Sequence, residues 1–199
     1  MKPLRHIEGR AVSLPEADID TDVIFPARFL VVTEKYGLGR YAFHERRADP
    51  DFVLNRAESV GAQILIGGAN FGCGSSREQA PWALRDLGFE AIIAPSFGEI
   101  FFSNCFKNGV LAMTLMADEV EILHAAARAG RRFAIDLEAC TLEIEDEAVL
   151  SFAIDGDRRQ MLLNGWDDTD RIWALYGRDI LRFETQQRSI TPWLWRDEK

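Results

Sequence analysis

Three short apolar runs, Gln63 to Ile66, Ala91 to Ala94 and Val110 to Met113, are bounded by glycine, proline or a helix-period pattern. They predict strands buried on both faces. Between them, Arg77 to Leu87 closed by Gly88 and Phe97 to Asn108 closed by Gly109 predict helices ended by glycine. The result is a β-α-β-α-β series with a parallel core. A third helix is predicted from Asp118, with Glu121 three residues on as a capping box; it presents Val120, Leu123 and Ala127 on one face and stops at Gly130. The period then drops to two. Phe133, Ile135 and Leu137, then Leu142 and Ile144, then Leu150, Phe152 and Ile154 predict half-buried antiparallel strands. Ile7 to Leu14 predicts one more strand, followed by a loop carrying Asp18, Asp20 and Asp22. Gly37 to Asp51 reads as a polar loop of the length of a lid, a mobile segment or a plain insertion.

Composition narrows the functional classes. At 199 residues the chain can bury one sizeable core, and one domain is expected. A formal charge of -9 gives no footprint for nucleic acid or an anionic membrane, so an anionic ligand has to be drawn by a local site. No apolar run has the length of a membrane span and no signal-peptide core is visible, so a cytoplasmic location is expected. Cys73, Cys105 and Cys140 are widely spaced and include no Cys-x-x-Cys pair. That spacing argues against a disulfide framework and against a self-contained zinc or iron-sulfur site. No cofactor bound by this chain is expected; a metal needed by the chemistry would come from another chain.

The candidate chemistry lies between the first apolar run and the helix after it. Asn70 to Glu78 reads Asn-Phe-Gly-Cys-Gly-Ser-Ser-Arg-Glu. Gly72 and Gly74 permit positive φ angles, so successive amides can converge on an anion near a helix start. Arg77 adds a planar fork suited to a carboxylate, and a serine needs such a positive environment to act as a base. Blander readings stand beside this one. Ser75 with Glu78 and Ser76 with Gln79 both match a capping box, and Arg77 could pair on the surface with Glu78 or Asp86. Pro81 complicates the start of that helix, which begins later than Ser76 or bends there. No P-loop lysine accompanies the glycines. Cys73 sits where a small residue is wanted, with no histidine nearby in sequence. His6, His44 and His124 have no metal-ligand spacing. Asp18, Asp20 and Asp22 lack the full calcium-loop pattern and read as a turn rich in side-chain caps, one of which can orient an arginine or serine.

Several ordered motifs together resemble a known family. They are Asp20-Thr21-Asp22-Val23-Ile24-Phe25-Pro26-Ala27-Arg28-Phe29-Leu30; Gly72-Cys-Gly-Ser-Ser-Arg-Glu78 with Ala80-Pro-Trp-Ala-Leu84; Ala94-Pro-Ser-Phe97; Asn104-Cys-Phe-Lys-Asn-Gly109; and Leu162-Leu-Asn-Gly165. The chain resembles the small subunit of bacterial 3-isopropylmalate dehydratase, in the aconitase superfamily. The resemblance implies an α/β fold: a single swivelling β/β/α layered domain of the aconitase C-terminal type over residues 1–199, its mixed sheet having a parallel core. It also implies a large-subunit partner carrying a [4Fe-4S] cluster, and interconversion of 2- and 3-isopropylmalate through isopropylmaleate in leucine biosynthesis. Matching positions give Ser75 as catalytic base, Ser76 and Arg77 around a substrate carboxylate, Asp22 as a supporting acid and Arg28 as a substrate contact. Gln79 stands where the family has histidine, and from about residue 169 the tail, with Trp173, Trp193 and Trp195, follows its own course. The tail's aromatics either pack on this domain or dock on a partner. Two alternatives therefore stay open: a sister hydratase acting on citraconate, maleate or dimethylmalate, and a non-catalytic dicarboxylate-binding swivel domain. The loop from Phe29 to Arg47 is expected to face the variable substituent of the substrate.

Overall fold

The structure, a computed structural model, describes residues 1–32, 34, 36–147 and 149–195. Strand β1 (His6–Leu14) alternates exposed and buried side chains and is the seam of the molecule. Its first half pairs antiparallel with β5 (Arg132–Asp136), in the register His6 to Asp136 through Arg10 to Arg132. Its second half pairs parallel with β2 (Ile64–Gly67), Ala11 opposite Ile64. Parallel strands β3 (Ala91–Ala94) and β4 (Leu111–Thr114) extend one side, while β6 (Thr141–Ile144) and β7 (Leu150–Ser151) extend the other by hairpins. The order across the sheet is β4-β3-β2-β1-β5-β6-β7. This is the mixed sheet with a parallel core that the hydrophobic pattern predicts.

Every residue of β2 and β3 is buried, because crossover helices cover a parallel sheet. These are α2 (Gln79–Asp86), α3 (Glu99–Lys107) and α4 (Ala117–Arg128). Helix α2 starts two residues later than predicted, and proline is the reason. Pro81 occupies the third helical position, where its missing N–H has no intrahelical partner to lose. Helix α3 likewise starts at Glu99, after Gly98. The cap of α4 is displaced too: Glu119, not Glu121, reaches back to accept from the Met116 amide at 2.9 Å. On α4, Val120, Leu123 and His124 are buried, and the His124 ring meets Ser13 Oγ of β1 at 2.9 Å.

Two other expectations change. Of the predicted strand through Leu150, Phe152 and Ile154, only β7 and one further bond from the Phe152 amide to the Cys140 carbonyl (3.0 Å) form a ladder; Asp155 then caps α5 (Gly156–Asn164). Gly37 to Asp51 is not a loose polar loop. Its Leu38, Ala42 and Phe43 are fully buried, and Gly37 and Gly39 donate to Asp86 of α2 at 3.2 and 2.8 Å. One-turn helix α1 (Thr21–Ile24) packs beside α2. The last α-helix is the 23-residue α6 (Asp168–Ile190), of which no residue is buried; the one-turn helix Pro192–Leu194 follows it.

Candidate active site

The segments that follow β1, β2 and β3 are laced together at one end of the sheet. The Asp18 amide donates to Ala69 O at 2.9 Å, Gly72 N to Ile19 O at 2.7 Å and Thr21 N to Cys73 O at 3.0 Å. On the other side Phe71 N donates to Ser96 O at 3.0 Å and Gly98 N to Phe71 O at 2.9 Å. Two glycines make this closeness possible. Gly72 has φ +72°, and a Cβ there would lie 2.2 Å from the Phe101 ring; a Cβ on Gly98 would lie 2.4 Å from the Gly72 carbonyl oxygen. Any larger residue at either position would push the lacing apart.

Beyond Gly74 the chain runs outward, leaving Ser75 and Ser76 exposed. Neither caps α2, which has Glu78 at its N-cap position and no side-chain cap, so the capping-box reading fails. Both hydroxyls are without a hydrogen-bond partner among the described residues. The Ser75 carbonyl, by contrast, is fixed by Thr21 Oγ1 at 2.5 Å, from a threonine only 2% exposed. Arg77 turns back under the loop. Its guanidinium pairs with the Asp22 carboxylate and donates to the Phe25 carbonyl at 3.2 Å. The surface pairing with Glu78 or Asp86 is not formed. The Asp22 carboxyl is held below the usual carboxylate range, first by the Ala27 amide at 2.8 Å and then by Arg77. At neutral pH the Asp22 carboxylate is therefore ionised, and of the pair only 14% of the Arg77 side chain is exposed against 56% of Asp22.

Arg28 lies on the short helical turn Ala27–Phe29 that follows α1, paired with Glu45 and with its guanidinium 4.6 Å from the centre of the Phe29 ring. Asp22, Pro26, Arg28, Glu45 and Arg46 line a hollow of about 330 Å³. A larger one of about 540 Å³ is lined by Trp82, Arg85 and Asn108, and includes neither the serines nor Arg77. Of the residues named from sequence, the structure thus brings Asp22 and Arg77 into contact, ties the Ser75 backbone to the same one-turn helix and leaves the Ser76 side chain free. Arg28 shares a hollow with Asp22 but not the pair itself. Thr21, Glu45 and Arg46 were missed. Thr21 had a signal, standing between two aspartates in the conspicuous Asp20 to Asp22 run; Glu45 and Arg46 had none, since only the fold of the Gly37 to Asp51 segment brings them here. Thr33 and Lys35 of the Phe29 to Arg47 loop lie outside the described residues.

The competing readings resolve on the same geometry. Burial, with Asp20 and Asp18 nearby, pushes the Cys73 thiol up, which disfavours the nucleophilic thiolate. Asp18 accepts from Asn70 Nδ2 at 2.7 Å and Asp20 caps α1 through the Val23 amide at 2.7 Å, while Asp22 holds Arg77; the three carboxylates do separate jobs. No group of three His, Cys, Asp or Glu side chains able to hold a metal occurs among the described residues. The three cysteines are dispersed, Cys105 fully buried on α3, so they do not fit a cluster. His44 rests edge-on to Phe29 at 5.0 Å and His124 is a buried structural group.

The four strands β1 to β4 and the turns at this end of the sheet fall within residues 1–118, which match the family model described as the aconitase C-terminal domain, and the chain is of that class. Within that class the chain belongs to the 3-isopropylmalate dehydratase small-subunit family. A small subunit from Novosphingobium aromaticivorans is 45% identical over 98% of this chain and 95% of its own length. One from Rhodospirillum centenum is 45% identical over 97% and 98%. The crystal structure of 3-isopropylmalate dehydratase from Methanocaldococcus jannaschii superposes with a TM-score of 0.67 at 29% identity, covering 90% of this chain and 99% of that one.

Proposed function

We propose that this chain is the small subunit of a 3-isopropylmalate dehydratase, a hydro-lyase that interconverts 2- and 3-isopropylmalate through isopropylmaleate in leucine biosynthesis and is active only with its large subunit. The observation that carries the site assignment is the junction of an exposed, unpartnered Ser75 hydroxyl and a mostly buried Arg77 on one glycine-laced turn. Removing a proton next to a carboxylate builds negative charge, so the reaction needs a base and fixed positive charge close together. Ser75 supplies the base. Arg77, with the Ser76 hydroxyl, binds a substrate carboxylate, and Asp22 keeps the guanidinium oriented until the substrate arrives. Arg28 contacts the substrate from across the hollow.

The acceptor for the departing hydroxyl is not among this chain's residues, and we assign it to a [4Fe-4S] cluster in the large subunit. The chain acts as one swivelling unit over residues 1–199 that closes the site and excludes water. Its partners are the large subunit and a small dicarboxylate, with no role for nucleic acid or a membrane; no described helix is long and apolar enough to cross one. The working location is the cytoplasm.

Co-expression with the large subunit, anaerobic reconstitution and ultraviolet detection of the unsaturated product tests this reading. Isopropylmalate should be turned over. Hydration of citraconate or maleate, or dehydration of dimethylmalate, in its place would overturn it in favour of a sister hydratase, the reading that Gln79 at the start of α2 motivates.

A further inference from the structure

Helix α6 is long, amphipathic and bare. None of its 23 residues is buried; it is tied at its root, where Arg171 pairs with Asp157 and Asp168 meets Lys107 at 3.5 Å, and at its far end, where the turn Pro192–Leu194 folds back and Arg188 lies 4.9 Å from the centre of the Trp195 ring. Of the tail's tryptophans Trp195 packs back in this way, while Trp173 and Trp193 stay more than half exposed. Trp173, Tyr176, Ile180 and Phe183 recur at the three-and-four spacing of a helix-packing seam, which Gln187 interrupts before Ile190 resumes it. Trp173, Tyr176, Phe183 and Ile190 are each more than half exposed. Full burial of an aromatic removes about 150–250 Å² from water, and these three, a little over half exposed, have about half of that left to bury. Together they would supply roughly a third to a half of the about 800 Å² that one partner gives to a standard interface.

Charge selects the occupant. The positions flanking the seam are Asp170, Gly177, Glu184 and Thr191 on one side and Ile172, Asp179 and Gln186 on the other, with no cation among them. The arginines at 171, 178 and 182 lie on the back of the helix, from which Arg182 reaches Asp179 at 3.1 Å. A second copy of α6, parallel or antiparallel, would set acidic flank against acidic flank, because these positions decide partner choice in helix pairs. An anionic membrane is disfavoured for the same reason. The match with the Novosphingobium small subunit covers 98% of this chain and so runs through α6.

We propose that α6 is the arm by which this chain grips its large subunit, seating the Trp173 to Ile190 seam in an apolar groove rimmed by lysine or arginine. This rests on the reading of the chain as a dehydratase small subunit. The experiment is co-purification of the full-length chain with its large subunit, followed by titration of one into the other without substrate. Trp173→Asp together with Phe183→Asp should weaken assembly at least thirtyfold, the loss of a central hot spot. Glu184→Lys should weaken it less. Arg178→Ala, on the back, should leave it unchanged, with circular dichroism confirming that each variant is folded. Undiminished assembly of the double variant overturns the proposal. Tighter binding by Glu184→Lys overturns the basic rim. If the isolated chain dimerises and the double variant stops that while the heteromer survives, the occupant is a second copy. A wild-type complex that assembles yet leaves isopropylmalate unchanged defeats the functional reading alone, since assembly is scored without turnover.

Discussion

The two halves of the sheet were built from the same kinds of residue and ended with different work. In the parallel half, each strand must return by a crossover, so the segments after β1, β2 and β3 all emerge at one end and can be laced through Gly72 and Gly98. In the antiparallel half, β5 to β7 turn back at once in hairpins, and none of the site residues comes from them. Convergence of turns, more than any special residue, is what the parallel half contributes to function.

The contrast can be tested by substitution. Ser75→Ala should cost on the order of 10²–10⁴ in kcat, the usual worth of a positioned base, while the heteromer still assembles; wild-type turnover would reduce Ser75 to a loop residue. Gly72→Ala combines a positive φ with a Cβ inside the Phe101 ring and should lower stability by about 3 kcal/mol in urea titration. A neutral outcome would mean that the lacing is slack. Arg77→Gln should raise KM by roughly 10–100-fold, the loss of a charge-assisted pair of about 1.5–3 kcal/mol, with a smaller change in kcat.

A pH experiment probes the seam between the halves. Burial holds the His124 pKa below 6.5, so the folded protein keeps a neutral ring while the unfolded chain binds a proton near that pH. Its contribution to stability is fully present above about pH 6.5 and is lost as pH falls toward the lower, folded value. His124→Gln should flatten that part of the denaturation profile relative to wild type; unchanged curvature would show that other groups set it. The smallest effect belongs to the hairpins. Arg131→Ala removes an exposed pair with Asp146 and should cost under about 1 kcal/mol, with turnover untouched.

How much of this was legible in the sequence follows the same division. The buried runs of β2, β3 and β4 were plain because no polar residue interrupts them, and Gly88, Gly109 and Gly130 marked the helix ends. Helix starts were harder: Pro81 fixed α2 only through a position that three-dimensional structure defines, and Asp118 with Glu121 fits the capping-box pattern, whereas Glu119 reaches back to Met116, a residue whose type gives no sign of a cap. At the site, the Asp22 to Arg77 contact spans 55 positions and is invisible to any local pattern, although both residues were named by their motifs. Glu45 and Arg46 were hidden because the segment that carries them looked polar, its anchors Leu38, Ala42 and Phe43 being too few to set a period.

The dual pairing of β1 has a bearing on how the chain is made. His6 and its ladder partner Asp136 are 130 positions apart, so Asp136 leaves the ribosome well after it. At ordinary rates of synthesis that gap lasts on the order of ten seconds. Through that interval the His6 to Arg10 edge waits without its neighbour, while Ile64 to Gly67 can already engage the other half of the strand. The parallel half therefore has the means to form first during translation, and the hairpin half to close onto it, so that the seam strand doubles as the template on which the second half is laid down.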